Sequence, residues 1–234
     1  MENAISITEA LKKAIAAGEY NYTTYYVKNE NIGLGESDVP GAIKAYGLFN
    51  PVELGIPEDA RIIFTQCTID FSRGGTQLYR PDFKNRSVAF HNCSFPNGID
   101  LTTGRGDIEF GYCTSAGVVS IIDCVKTINI NNSEFYGLEI AKCHGLNLWF
   151  NEATKVENCV TISNCLMPRF YMSEQSRICY LNLNHGYVGL ASISGTISEI
   201  LRLHQIAIGE FHFGGTAYVK HLNASDCSVL TRVV

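Results

Sequence analysis

The chain has 234 residues, 46% of them hydrophobic and only 18% charged, with a net charge of -5 from 23 acidic and 18 basic side chains. That apolar content suits one domain or one repeat array with a cap, and no basic block appears that would track a phosphate backbone, so direct nucleic-acid binding is not expected. Nine cysteines form no CxxC pair and match no zinc spacing, and no stretch is apolar enough to span a bilayer.

In chain order, the first predicted element is a short amphipathic helix over residues 5–17. Ile7, Ala10, Leu11, Ala14 and Ile15 fall at helical spacing, Ser6 or Thr8 caps the start, and Gly18 suits the stop. The same first residues lack the cationic start and unbroken apolar stretch of a signal peptide. The expectation is therefore a soluble, cytoplasmic protein in a reducing compartment, with its thiols acting as small buried apolar groups and with no metal or cofactor. Residues 20–27, rich in tyrosine and threonine, predict a strand. Gly33, Gly35, Pro40, Gly41, Pro51, Gly55 and Pro57 then punctuate an irregular connection. A helix and irregular segment ahead of stacked strands cover the open end of the stack, so residues 1–60 are assigned a capping role and residues 61–234 the repeat array.

Within the array, one phrase returns about every twenty residues: Val88-Ala-Phe90-His-Asn92-Cys93, Ile108-Glu-Phe110-Gly-Tyr112-Cys113 and Ile128-Asn-Ile130-Asn-Asn132-Ser133. Looser copies start at Ile62, Leu146, Val160, Leu181 and Leu201. A second alternation follows some ten residues behind, as in Ile99-Asp-Leu101, Val119-Ser-Ile121, Leu138-Glu-Ile140, Phe170-Tyr-Met172, Val188-Gly-Leu190 and Phe211-His-Phe213. Period-two pieces this short, broken by turn residues at fixed offsets, predict successive coils stacked in parallel. Roughly eight coils at about 4.8 Å per strand give a rod on the order of 40 Å long. The longer interval between Thr68 and Ser87 predicts a loop around Tyr79-Arg80-Pro81-Asp82 that bulges from the rod. Asn92, Asn132 and Asn164, with Gln66 and Gln205, are read as bend residues whose amides bond the next coil. Cys67, Cys93, Cys113 and Cys165 form one predicted inward column, and Cys124, Cys143 and Cys159 a second.

The pattern apolar-x-apolar-x-Asn-Cys/Ser-x-Phe, in Val88 to Phe95 and Ile128 to Phe135, resembles the coils of right-handed parallel β-helix proteins of the pectate-lyase-like kind. The resemblance covers roughly residues 61–227 and implies an all-β fold: a single right-handed parallel β-helix, or solenoid, with an N-terminal helical cap. Ile130, Phe135 and Ile140, five apart, are also similar to pentapeptide-repeat spacing. Many proteins of the β-helix family act on polysaccharides, but the Arg-x-Lys motif of the pectin-cleaving members is missing and His144-Gly145 stands alone.

Aligning the coils by this phrase gives two outward rows. The first reads Ala89, Glu109, Asn129, Asn147, Thr161, Asn182, Arg202 and Lys220. The second reads Asp100, Ser120, Glu139, Glu157, Tyr171, Gly189 and His212. The expected function is non-enzymatic binding of a macromolecular partner, a protein, through Asp100, Glu139, Glu157, Tyr171, Glu109, Asn129 and Asn147. A virus- or mobile-element-encoded inhibitor of a host protein, such as a nucleic-acid-processing enzyme, would suit such a rod. The alternative is a polysaccharide-binding or polysaccharide-cleaving module of tail-spike type, in which Glu139 and Glu157, one coil apart, with Asp100 nearby, supply the acid and base and Tyr171 stacks on a sugar. A third is a building block that polymerises through its ends. Residues 227–234 offer no polar cap, which predicts that two chains pair end to end as a homodimer.

Overall fold

The computed structural model describes residues 4–33, 49–73, 76, 77 and 79–233. Ser6 begins the helix Ile7–Ala16 by accepting the Glu9 N–H on its Oγ at 3.1 Å. The helix buries Ile7, Ala10, Leu11 and Ala14 against the strands Thr24–Lys28 and Asn31–Gly33. It thus closes one end of the stack, as its apolar stripe predicts. The coils, however, begin before residue 60: Thr24–Lys28 lies parallel to Arg61–Thr65, and Asn31–Gly33 to Thr68–Asp70. The middle of the expected irregular connection, residues 34–48, lies outside the described residues.

From there the chain is a β-solenoid of about seven turns, each turn having two broad faces and a narrow third. On the first face Ser87–His91, Ile108–Gly111, Thr127–Asn131 and Asn147–Asn151 stack in parallel. The narrow third face follows, with Ser94, Thr114, Glu134, Lys155, Arg177, Thr196 and Tyr218 stacked outward. The second face carries Ile99–Leu101 and its successors. Alternate residues point inward, so Val88, Phe90, Ile108, Phe110, Ile128, Ile130, Leu148 and Phe150 are all buried. Phe64, Phe90 and Phe110 stack nearly face to face, with centroids 5.2 and 5.3 Å apart. Identical side chains at one position on successive turns pack this way because the rung spacing fits aromatic stacking.

The first face as far as Glu152, and the second from Asp123 on, end their strands in a left-handed residue. Gln66, Asn92, Tyr112, Asn132 and Glu152 turn the first face into the third; Asp123, Lys142, Asn164, His185, Gln205 and Asp226 turn the second back to the first, all with φ between 46° and 58°. This conformation costs an ordinary residue about 1–2 kcal/mol and Asn or Asp less, which explains the corner amides better than bonds to the next coil. Asn132 Nδ2 does donate to Glu152 one turn on, but to its side chain.

The small residue after each corner ties turns together. Cys67, Cys93 and Cys113 donate their thiol protons to the carbonyls of Val27, Phe64 and Phe90 on the preceding turn, at 3.6, 3.4 and 3.2 Å. Thr154 and Ser176 repeat the bond with hydroxyls, to Ile130 at 2.9 Å and Phe150 at 3.3 Å. At these positions the small residue also serves as a donor, whereas Ser133 in the same column donates to Asn131 of its own turn and accepts the Cys113 N–H at 3.0 Å. Cys165 belongs to the other corner with Cys124 and Cys143, whose backbone N–H groups approach the sulfur of the next thiol: Cys124 N to Cys143 at 3.3 Å and Cys143 N to Cys165 at 3.4 Å. Cys159, expected in that column, is instead partly exposed, lying beside Tyr180 on the second face.

Two further expectations are corrected. Residues 79–83 do not bulge: Tyr79 and Phe83 are buried, the Tyr79 hydroxyl accepts the Phe49 N–H at 2.9 Å, and Asp82 bridges to Thr102. Second, the two predicted rows exchange partners after residue 151. Trp149 pairs with Tyr171, and the first-face row runs on through Ser192 to His212, whereas Thr161, Asn182 and Arg202 continue the second face from Glu139. The cause is that both corners end in a left-handed polar residue and a small one, so Val160 to Cys165 imitates Val88 to Cys93 while belonging to the other face.

Candidate binding face

The corrected register gathers four of the predicted partner-binding residues on the first face. Glu109, Asn129, Trp149, Tyr171, Ser192 and His212 form its central outward row. Asn147 flanks the row between Thr127 and Arg169, and Asn131 and Asn151 flank it on the other side. Trp149 and Tyr171 are half-buried, with ring centroids 5.5 Å apart and planes at 47°. Asn151 Nδ2 donates to Asn129 Oδ1 at 2.6 Å, which fixes the amides beside the rings. At the N-terminal end of the row Glu109 is held by Arg61, two turns away, and by His91 at 3.2 Å. The face is thus an aromatic pair set among fixed amides, with exposed Arg169 at its margin.

The remaining predicted residues lie elsewhere. Glu139 is exposed on the second face between Ser120 and Thr161. Asp100 is two turns before it, where Arg80 reaches its carboxylate at 3.3 Å. Glu157 sits past the third-face strand, after a register shift, and is bound to Lys155 at 2.8 Å. The expected adjacency of Glu139 and Glu157 therefore does not exist, and the acidic strip is broken across faces. Lys155 also binds Glu134 at 2.5 Å; together Glu134 and Glu157 raise the ammonium to about 12, while Lys155 lowers Glu157. Glu134, Glu157, Tyr136, Thr114, Ala116 and Pro96 border a shallow groove of about 280 Å³.

The thiol columns offer no nucleophile at Cys67, Cys93, Cys124 or Cys143. Cys93 is raised to about 12, first by its hydrogen bond with Cys113 and then by burial. Cys67 is raised by Cys93 and by burial, Cys143 by Cys165 and by burial, and Cys124 by burial. These four stay protonated at neutral pH, which suits donors to carbonyls. Among the described residues, no three His, Cys, Asp or Glu side chains converge as metal ligands would, and no helix is long and apolar enough to cross a membrane.

Trp149 was the residue that sequence reasoning left out. Its position directly after Leu148 in an apolar-x-apolar phrase already makes it outward, but the mistaken thread placed Asn147 in the row instead. No family model, curated protein or solved structure matches this chain.

Proposed function

We propose that this chain is a non-enzymatic binding protein that recognises a protein partner through the first face, centred on Trp149 and Tyr171. The observation that carries the reading is the outward aromatic pair at 5.5 Å, flanked by locked amides and Arg169. Trp, Tyr and Arg are the side chains that dominate binding energy in protein interfaces, and holding them rigid lowers the ordering cost on association. A broad sheet face favours macromolecular contact over turnover. The separation of Glu139 from Glu157 removes the carboxylate pair on which a hydrolytic reading depended. Inhibition of an enzyme by covering its surface fits this face. Imitation of nucleic acid fits less well, because Asp100, Glu109 and Glu157 are each engaged by a cation.

The test is affinity capture from lysate with wild type beside a Trp149→Ala/Tyr171→Ala double variant, followed by calorimetry with the purified partner. One stoichiometric partner that binds wild type and loses at least tenfold in affinity for the double variant supports the reading. Capture of no partner, or equal affinity for both forms, defeats it.

A polysaccharide is the second reading, favoured by the groove in which exposed Tyr136 lies beside Glu134 and Glu157. Glycan-array binding that Tyr136→Ala abolishes and Trp149→Ala leaves intact would replace the first reading with this one.

A further inference from the structure

The first face carries more apolar surface than its aromatic pair. Leu166, Pro168 and Arg169 precede Tyr171 on the strand Lys155–Met172 and are exposed, Leu166 by 48%. Leu166 pairs in register with Tyr187, which is 42% exposed, and Arg169 with half-buried Leu190. Between these columns stand Gly189 and, one turn on, Gly209, so no side chain rises between Tyr187 and Leu190. A β-carbon at Gly189 would lie 2.7 Å from the Pro168 carbonyl oxygen, and one at Gly209 2.5 Å from that of Gly189; the backbone itself keeps the strip low. An apolar patch therefore runs from Trp149 to Tyr187, and exposed surface of this kind marks contact sites. Arg169, set inside it, is the one charged side chain of the patch.

The charges around that guanidinium are one-sided. Residues 142–151, 164–172, 185–193 and 205–213 form the first face, with its entering corner, on four successive turns. Histidines aside, they hold two cations, Lys142 and Arg169, and one acid, Glu210. Glu210 lies two turns from Arg169 in the same column and is bound by His212 at 3.2 Å. Other acids border the face without entering it: Asp123 beside Lys142 at the entering corner, and Glu152 and Glu174 past the far one. Among the described residues, Arg169 has no ion pair.

Resting on the reading that a protein covers this face, we infer that the partner's contact segment is acidic and apolar together. An Asp or Glu carboxylate pairs with Arg169, and aromatic or aliphatic side chains on either side of it cover Leu166, Tyr187 and the Trp149–Tyr171 pair. Covering the patch takes Arg169 out of water, and a guanidinium buried without a partner costs more than the contacts around it return. A carboxylate removes that cost, and its two oxygens match the guanidinium fork. A purely apolar segment would strand the charge, and a basic one would repeat it.

The test is selection from a random library of twelve-residue peptides displayed on phage against the full chain, followed by fluorescence anisotropy with the enriched peptides. Those peptides should carry at least one Asp or Glu beside Trp, Phe or Leu. They should bind Arg169→Ala at least about tenfold more weakly than wild type, and added salt should weaken binding less steeply in that variant. Arg169→Ala should leave the circular-dichroism spectrum unchanged, and Lys142→Ala, a charge-matched control outside the patch, should change affinity less than about threefold. Enriched peptides that lack an acid and need Trp149 but not Arg169 would overturn the inference while the binding face stands. No enrichment, or peptides indifferent to both Trp149→Ala and Arg169→Ala, would overturn the inference and the face together. Oligothymidylate that binds more tightly than every selected peptide, and through Arg169, would assign the patch to single-stranded nucleic acid and overturn it as well.

Discussion

Trp149 and Tyr171 occupy the same outward position on successive turns, 22 residues apart in sequence and 5.5 Å apart between ring centroids. Trp149 is also the single tryptophan, so intrinsic fluorescence reports this face alone. Tyr171→Ala should uncover one side of the indole and shift its emission to longer wavelength, while costing about 0.5–1.5 kcal/mol for the lost aromatic contact. Emission unchanged by the substitution would show that the two rings do not cover one another.

The inward aromatic column should be far less tolerant. Phe90 lies between Phe64 and Phe110 in near-parallel stacks and is closed beneath by Phe95, edge on, at 5.4 Å. Phe90→Ala removes a filled rung and leaves neighbours that two strand ladders hold in place, so a loss of about 3–5 kcal/mol is expected. Equilibrium urea unfolding measures it.

Alkaline pH should act against the fold through Cys93, while the same hydrogen bond shifts its partner Cys113 downward. Cys93 ionises at about 12 in the folded chain against an ordinary thiol value of 9.0. Below pH 9 both states hold the proton and this thiol contributes no pH dependence. Between about pH 9 and 12 the unfolded state releases it while the folded state retains it, so stability falls, with a limiting slope of about 1.4 kcal/mol per pH unit for one such thiol. Urea midpoints at pH 8 and pH 10 should differ in that direction. Cys93→Ser, which keeps a donor for the Phe64 carbonyl, should reduce the difference.

Arg86 is buried, and its guanidinium donates to the Ile56 carbonyl and, at 2.7 Å, to the Lys84 carbonyl; burial lowers its pKa. It fastens residues 49–60 to the coils. Arg86→Met keeps the apolar stem but strands both carbonyls, and should cost about 2–3 kcal/mol. Limited proteolysis should then cut first within residues 49–60. Cleavage at sites spread evenly over the coils would contradict a local role.

Gly186 takes the place in the second column that Cys165 holds one turn earlier. A Cβ there would lie 2.2 Å from the Cys165 carbonyl oxygen, closer than any atom pair tolerates, and backbone cannot yield as a flexible side chain can. Gly186→Ala should therefore lower thermal stability by several degrees, about 1–3 kcal/mol, although alanine is smaller than the cysteines that fill equivalent corners.

Stacking, inward alternation and the helical cap were legible because each rests on a short local period. Val88, Phe90, Ile108 and Phe110 could be placed inside from the two-residue alternation alone. The thread was harder to follow. Both corner types use a left-handed polar residue and a small one, so Asn92-Cys93 and Asn164-Cys165 look alike while turning different faces. The distance from Leu148 to Phe170 also exceeds the twenty-residue interval of the earlier turns. Once the rows are exchanged, Tyr171 joins Asn129 and Trp149, and Glu157 leaves Glu139. A side-chain row depends on the register of every preceding turn, so one misread corner relocates all that follow, whereas burial survives the same error.

Trp149 stands four rungs below Val233 on a ladder of fixed spacing. With about 4.8 Å per rung, the outward row from Glu109 to His212 presents its side chains at one fixed repeat along one axis. A partner whose contacts recur at a matching interval would then engage several rungs of the row together, each attachment after the first proceeding at the high effective concentration set by a stiff connector. The rigidity of the coils thereby acts as a ruler, selecting among partners by how far apart their binding patches lie.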